Sequence, residues 1–359
     1  MADGPDGDRL LDALRTEFSE LGAGTRLPTI RSVAGRYGVS QFAAQRAFES
    51  LKEKGLIQSF VGRGSFVAGS APAAQARDTA RILVVSHTTP STRGAEIARE
   101  LLEALSKANY KSIQVEYSDV SDLHDLLGRG GFDVCVLQPR RSVLPVEALA
   151  LLKSKARHMI VEGRQLELMN VDVFVRNRAK SIATALSHLR ELGHVHIGLL
   201  TERLDGAAGY GEIDNLFSQM LGAAPDQGSG PILRISEGAG HGSDAIGHAL
   251  KEALKEGVTL PTAMIVSGSF HAKDIVAGFQ SAGLGIPNDI GVVHLRAAEA
   301  GDEFLTTVGR DAAHVARGIN ELITWRLANP NDPSGLVLDD PVLKLGQSTI
   351  AVDGNKSLL

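Results

Sequence analysis

The sequence predicts a winged helix-turn-helix of α+β type at residues 1–68, a linker at 69–79 and an α/β body of two lobes at 80–359. Three observations predict this. Three amphipathic stretches, separated by turn and cap residues, lead into a short hairpin with a basic tip. From Arg81 onward β-branched runs alternate with helical runs, the pattern of parallel sheets covered on both faces. That alternation runs on for too long to be one doubly wound unit, so two lobes are expected.

The first helix is expected from Asp8 to Leu21, because Leu10, Leu11, Leu14, Phe18 and Leu21 share a face and Gly22 and Gly24 end it. Leu27-Pro28 makes a stiff turn, and Thr29 is a good N-cap for a helix from Ile30 to Tyr37. Gly38 turns the chain, Ser40 caps a third helix reaching Lys54, and Gly55 stands where a left-handed residue is needed. Leu56–Val61 and Ser65–Val67 read as strands around Gly62-Arg63-Gly64. Ile30, Val33, Ala34, Val39, Ala43, Ala47, Phe48 and Leu51 are the candidate core. The Ala-rich stretch after Gly69, with Ser and Pro72, has few groups that could pack and reads as a linker.

In the body, strands are expected at Arg81–Ser86, Ser112–Tyr117, Val134–Leu137, His158–Glu162, Ile197–Thr201, 232–235, Ala263–Ser267 and Gly291–Leu295. Helices are expected at Gly94–Asn109, ahead of Val134, and at 145–156, 179–192, 212–221, 243–256, 271–283 and 311–328. A ligand of such a body binds at the carboxyl ends of the strands, in a cleft between lobes. That rule nominates Ser86, His87, Arg93, Gln138, Glu162, Arg176, Asn177, Arg203, Ser267, His271, Lys273 and Arg296.

Composition narrows the function classes. Hydrophobic residues make up 43% and charged residues 22%, ordinary for a globular chain. No run of ~18 apolar residues predicts a membrane span, and Met1 to Asp8 lack a secretory pattern, so the cytoplasm is expected. The one cysteine, Cys135, has no partner in its own chain and is expected in a buried strand. The net charge of -5 is uneven: residues 26–67 hold seven bases (Arg26, Arg31, Arg36, Arg46, Lys52, Lys54, Arg63) and two acids (Glu49, Glu53). A basic patch on an acidic body is an electrostatic footprint for phosphate. No phosphate-cradling Gly-Lys-Ser/Thr loop and no Gly-x-Ser-x-Gly elbow occurs. His194 and His196 alternate across an extended segment, and no cysteine cluster stands near them. Neither catalysis nor a metal or other cofactor is expected.

The N-terminal segment resembles the GntR family of regulators. The resemblance rests on Leu27-Pro28-Thr29-Ile30-Arg31, Ala34, Tyr37-Gly38-Val39-Ser40, Arg46-Ala47-Phe48, Leu51, Gly55-Leu56-Ile57 and Gly62-Arg63-Gly64-Ser65-Phe66-Val67. It implies binding to double-stranded DNA, with a recognition helix in the major groove. Gln41, Phe42, Ala44, Gln45 and Arg46 are then the candidate base-edge residues. Related proteins often carry arginine at the first and fourth of these, and glutamine suits adenine where arginine suits guanine, so an altered operator is expected. Thr29, Arg31 and Ser40 are placed to hold phosphates, although Arg31 could instead pair with Glu49 or Glu53. Arg63, between Gly62 and Gly64, can reach a minor groove; a plain hairpin tip is the alternative. Arg36, Lys52 and Lys54 read as general solvated charge.

The body resembles the effector domain of LacI-type regulators, related to periplasmic sugar-binding proteins, and the two halves together resemble the arabinose-repressor subfamily. The carrying stretches are Val171–Leu200, with His188-Leu189-Arg190-Glu191-Leu192-Gly193-His194-Val195-His196-Ile197-Gly198, then Gly278–Val293, and Leu305-Thr306-Thr307-Val308. Departures stand at the ligand positions. Arg176-Asn177 replaces the family's Asp-Asn, no arginine occurs near 210–212, and Ala272-Lys273 replaces Asn-Asp, while an acid persists at Glu162. Bases in place of acids suit an anionic effector, such as a sugar phosphate or sugar acid, better than a neutral sugar. The resemblance implies a homodimeric repressor that meets an inverted repeat and responds to a small molecule. A dimer whose body senses nothing is the alternative.

Overall fold

The computed structural model describes residues 5–22, 25–60, 64–68, 79–88, 92–128, 130–139, 146–164, 166, 170–202, 210–222, 230–235, 242–298, 301 and 303–352. In the N-terminal segment two hydroxyls start two helices. Thr29 Oγ1 accepts from Ser32 N–H at 3.2 Å and caps α2 (Ile30–Tyr37); Ser40 Oγ accepts from Ala43 N–H at 3.1 Å and caps α3 (Gln41–Glu53). Gly38 lies between them at φ 66°, where a Cβ would be strained. α1 (Pro5–Ser19) precedes them, and β1 (Ile57–Phe60) pairs antiparallel with β2 (Gly64–Val67). Leu10, Leu14, Phe18, Val33, Ala47, Phe48, Leu51 and Ile57 share one core, closed by an edge-on Phe18–Phe48 contact at 5.9 Å. Ala43, expected in that core, is only partly buried; Ala44 is fully buried there instead.

The body holds two six-stranded sheets. The first has the order β4 (Lys111–Tyr117), β3 (Arg81–His87), β5 (Phe132–Gln138), β6 (Ala156–Glu162), β7 (Asp172–Arg176), β13 (Leu336–Asp339). The second has the order β9 (Ile232–Ile235), β8 (Ile197–Glu202), β10 (Ala263–Ser267), β11 (Gly291–His294), β12 (Thr306–Gly309), β14 (Val342–Lys344). The first five strands of each sheet pair in parallel, and β14 joins β12 antiparallel. Each sheet therefore repeats one doubly wound order, 2-1-3-4-5, with a late strand added at the edge. α4 (Thr92–Lys107), α5 (Val120–Leu127) and α6 (Val146–Lys155) alternate with the first set of strands. α7 (Arg178–Glu191), α8 (Tyr210–Gly222), α9 (Gly242–Lys255) and α10 (Ala272–Ser281) alternate with the second, and α11 (Ala312–Ala328) follows β12.

The chain divides into two units, 1–139 with 144–175 and 315–338, and 140–143 with 176–314 and 339–359. The winged helix and α11 from Val315 onward both belong to the first. The expected strands and helices are present with ends shifted by a few residues. β7, β12, β13 and β14 were not expected: each has three to five residues and takes its place from its neighbours in the sheet rather than from a period of its own. The residues of the expected linker from Gly69 to Asp78 lie outside the described set.

In the first unit Leu83, Val85, Cys135, Leu137, Val161, Val173 and Val175 pack in one cluster. Cys135 is fully buried, as expected, and burial pushes its thiol up to about 12. Arg326, at the end of α11, is also buried. It binds both carboxylate oxygens of Asp172, at 2.6 and 2.8 Å, and donates to the carbonyls of Asn329, Asp332 and Pro333.

Candidate DNA interface and effector site

The caps that start α2 and α3 leave their hydroxyl protons available. An oxygen that accepts from the helix N–H groups can still donate to a phosphate, so Thr29 and Ser40, both exposed, suit the role expected of them. Arg31 is exposed and makes no ion pair with Glu49, Glu53 or any other described residue. Gln41, Gln45 and Arg46 are exposed on α3, and Phe42 is 71% exposed, an unusual state for a phenyl ring beside a packed core. Ala44 is a correction: its methyl group points into the helical core and cannot reach a base edge. Gln45 Nε2 donates to Glu49 Oε1 at 3.2 Å one turn on, which brings an acid to the same face. Arg36 is exposed, as expected of solvated charge, and binds both oxygens of Glu17, at 2.8 and 2.9 Å, which also accepts from Tyr37 Oη. Gly62 and Arg63 lie outside the described residues. Gly64 has φ +103°, and a Cβ there would stand 3.6 Å from Arg26 Nε. Arg26 is bridged to Phe66 beside the hairpin, a placement that its position in sequence, between α1 and α2, does not announce.

In a 2-1-3-4-5 sheet the switch point lies between the first and third strands, and ligands bind beyond the carboxyl ends there. In the first sheet that point falls between β3 and β5, and Ser86 and Gln138 are register partners at it. Both are buried. Gln138 Nε2 is 3.4 Å from the Gly94 carbonyl and 3.4 Å from Glu162 Oε2, while its Oε1 is buried without a partner among the described residues. His87 stacks edge-on against Tyr117 at 5.5 Å, and Arg93 and Glu162 are half-buried. A cavity of about 210 Å³ opens beside Ser86, lined also by Ala98, Arg99, Leu102, Gln114 and Glu116.

In the second sheet the switch point falls between β8 and β10, and Thr201 and Ser267 are the register partners there. Both are buried, and Thr201 Oγ1 has no partner among the described residues. Thr201 was missed because it closes an apolar run and reads as core. Arg176 Nη1 donates to the Leu295 carbonyl at 2.8 Å. Arg296 is 8% exposed; its Nη1 lies 3.4 Å from the Phe270 carbonyl, and it has no carboxylate partner among the described residues. His294 is fully buried and depressed to about 3 by desolvation, and further by Arg296 and Arg176, against the pull of a hydrogen bond to the Gly268 backbone. His271 and Lys273 lie at the start of α10, half-buried and exposed. Asn177 has another use: its Oδ1 caps α7 at Lys180 N–H and its Nδ2 donates to Asp340, so both ends of its amide are engaged. Arg203 lies outside the described residues.

No group of three His, Cys, Asp or Glu able to hold a metal occurs among the described residues. His194 is buried with Nδ1 on Thr262 Oγ1 at 3.0 Å and Nε2 on the Ile350 carbonyl at 3.1 Å, a core histidine with both nitrogens used. No described helix is long and apolar enough to cross a membrane.

Residues 8–67 match the family model of bacterial regulatory proteins, gntR family, and residues 186–349 match that of a periplasmic binding protein-like domain. No curated protein matches the chain. Among solved structures it is similar to a lac repressor dimer bound to operator and an anti-inducer, with TM-score 0.61 and 17% identity over 77% of this chain and 96% of that one. A LacI transcriptional regulator from a Rhodococcus species matches with TM-score 0.59 and 18% identity over 75% of this chain and 99% of that one. A LacI family regulator from Enterococcus faecium, with bound ribose, matches with TM-score 0.60 and 18% identity over 76% of this chain and all of that one. The chain thus joins a segment that matches the gntR family of bacterial regulatory proteins to a body that matches a periplasmic binding protein-like domain and has the LacI-type fold.

Proposed function

We propose that the chain is a sequence-specific transcriptional regulator, a repressor whose hold on its operator is set by a small anionic effector. Residues 1–68 bind DNA, 69–79 link, and 80–359 sense and dimerise. Two chains related by a twofold axis meet the half-sites of an inverted repeat. Gln41 and Gln45 address adenine edges, and Phe42 addresses a thymine methyl group. Thr29, Ser40 and Arg31 hold phosphates.

The observation that carries the sensing half is the repeated pair at the switch points. Ser86 with Gln138 and Thr201 with Ser267 stand in equivalent register in the two sheets, and each pair brings a buried oxygen with no partner among the described residues. Such an atom costs stability unless a ligand or water satisfies it. Buried Arg296, with no carboxylate partner among the described residues, and Arg176 beside it favour an acid group on the effector. The regulator from Enterococcus faecium has ribose bound, so a sugar acid or sugar phosphate is the nearest chemistry.

Effector and DNA are then coupled by ~1–3 kcal/mol. Thermal stability measured against neutral sugars, sugar acids and sugar phosphates tests the reading. A ligand present at one hundred times its Kd raises stability by ~2.7 kcal/mol. Response to anions that is lost in Arg296→Gln supports it. Response to neutral sugars alone refutes the charge assignment, and a blank panel with intact operator binding refutes sensing.

A further inference from the structure

We propose that the outer face of the wing is a docking surface for α11, and that this contact fixes where the DNA-binding segment sits on its own body. The register of the hairpin carries the inference. Ile57 pairs with Val67, Gln58 with Phe66 and Ser59 with Ser65. Side chains alternate across a strand, and Ile57 and Val67 belong to the winged-helix core. Gln58 and Phe66 therefore face the other way. Phe66 is nonetheless only 8% exposed, and it is not part of that core. Its ring meets Trp325 edge-on, with centroids 6.0 Å apart, and Gln58 Nε2 donates to Glu321 Oε2.

Glu321 and Trp325 are four residues apart on α11 and share a face. Two neighbours across the hairpin thus meet two neighbours along a helix, a correspondence that one long side chain landing by chance does not give. The helix side of the contact is firmly held. Arg326, locked onto Asp172, lies 4.9 Å over the Trp325 ring, and Thr324 Oγ1 is 3.1 Å from Tyr110 Oη. Asp172 opens β7, so a displacement of β7 reaches the Trp325 side of the contact through two residues, Asp172 and Arg326.

Docking leaves the recognition helix open, with Gln41, Phe42, Gln45 and Arg46 all exposed. The contact therefore positions the DNA-binding segment rather than blocking it. It pre-organises the two winged helices of a dimer for one half-site spacing, which raises the effective concentration of the second at its half-site. This last step rests on the regulator reading; the docking itself does not.

Trp325 is the one tryptophan of the chain and reports on the contact directly. In the full-length protein its emission is expected at short wavelength with weak acrylamide quenching. Phe66→Ala shifts the emission to longer wavelength and raises quenching, with circular dichroism unchanged because Phe66 lies outside the core. Gln58→Ala does the same to a smaller extent and guards against misfolding of the first variant. On DNA recovered by selection from random sequence, Phe66→Ala lowers affinity for two-half-site fragments about two- to tenfold, the range that an aromatic pair carries. Affinity for a single half-site is unchanged. Equal quenching of Trp325 in all three proteins overturns the proposal, and so does an equal loss on single half-sites. Recovery of no DNA sinks the regulator reading instead, and the quenching then still decides the docking.

Discussion

Replacing Arg326 by Met removes the charge at the centre of the first unit. Arg326 and Asp172 are each 2% exposed. The substitution deletes two charge-assisted bonds, at 2.6 and 2.8 Å, and three donations to carbonyls, at 3.1, 2.7 and 3.2 Å. Asp172 is left as a buried anion whose Oδ1 still accepts from Gly335 N–H at 2.8 Å while Oδ2 loses the Arg326 Nε donor. Breaking a buried pair in this way costs about 3–5 kcal/mol, because the remaining charge is stranded rather than because the pair itself was strong. That is a large share of the ~5–15 kcal/mol that holds a domain together. Urea unfolding followed by Trp325 emission reads the unit in which the change is made, which matters because two units need not unfold together. Arg326→Met is expected to move that transition by ~3–5 kcal/mol. Adding Asp172→Leu should restore part of the loss, since the stranded anion is gone, although the three carbonyls still lack a donor. A single variant within about 1 kcal/mol of the parent refutes the reasoning, as does a double variant whose loss equals the sum of the two singles.

Four further outcomes are expected. His294 has its pKa lowered in the folded state to about 3, so the unfolded chain binds its proton first as pH falls below ~6.5, and stability declines from there to about pH 3 by up to ~1.4 kcal/mol per pH unit. His294→Asn should flatten that decline in unfolding curves taken from pH 7 to 4, and an unchanged slope removes His294 from the account. Cys135, buried and with its thiol raised to about 12, should resist a disulfide-exchange reagent in the native protein and react at once in urea; fast native labelling contradicts the burial. At Gly278, on α10, an added Cβ would lie 2.6 Å from Ile246 Cβ and 3.0 Å from the Ser243 carbonyl, so Gly278→Ala should lower thermal stability by ~1–3 kcal/mol, and a neutral result means that α9 can yield. Ser40→Ala removes the cap of α3 and should cost the winged helix ~1 kcal/mol in denaturant, with Ser40→Gly milder; the reverse order is inconsistent with capping.

The N-terminal segment was legible because its signals are local. Thr29, Gly38 and Ser40 act within one turn of themselves, and α2 has the bounds that they predict. In the body, Ser86 and Ser267 were found from the ends of apolar runs, whereas Thr201 was not, since its significance comes from standing opposite Ser267 across two strands that are far apart in sequence. The same limit hid β13 and β14, whose three or four residues become strands only because an edge is waiting for them. Ala44 and Ala43 exchanged roles because helical spacing fixes a face to within about one residue and two adjacent alanines differ in nothing else. The contact of Phe66 with Trp325 joins residues 259 positions apart, and no period in the chain announces it.

The two late strands bear on how the protein is made. β13 and β14 follow one another within residues 336–344, yet each finishes a different sheet, and α11 is placed just before them. A nascent chain that has emerged only as far as residue 311 carries a winged helix with its own core but two sheets whose last strands, β7 and β12, still have bare backbone along one side. At ~5–20 residues per second, the ~280 residues between the winged helix and β14 mean that about 14–55 seconds separate a folded N-terminal segment from a body whose sheets are complete. Neither sheet can be released as a finished domain by cutting the gene between them, and a message truncated before residue 312 yields a product prone to strand-edge aggregation while its first sixty residues remain able to fold.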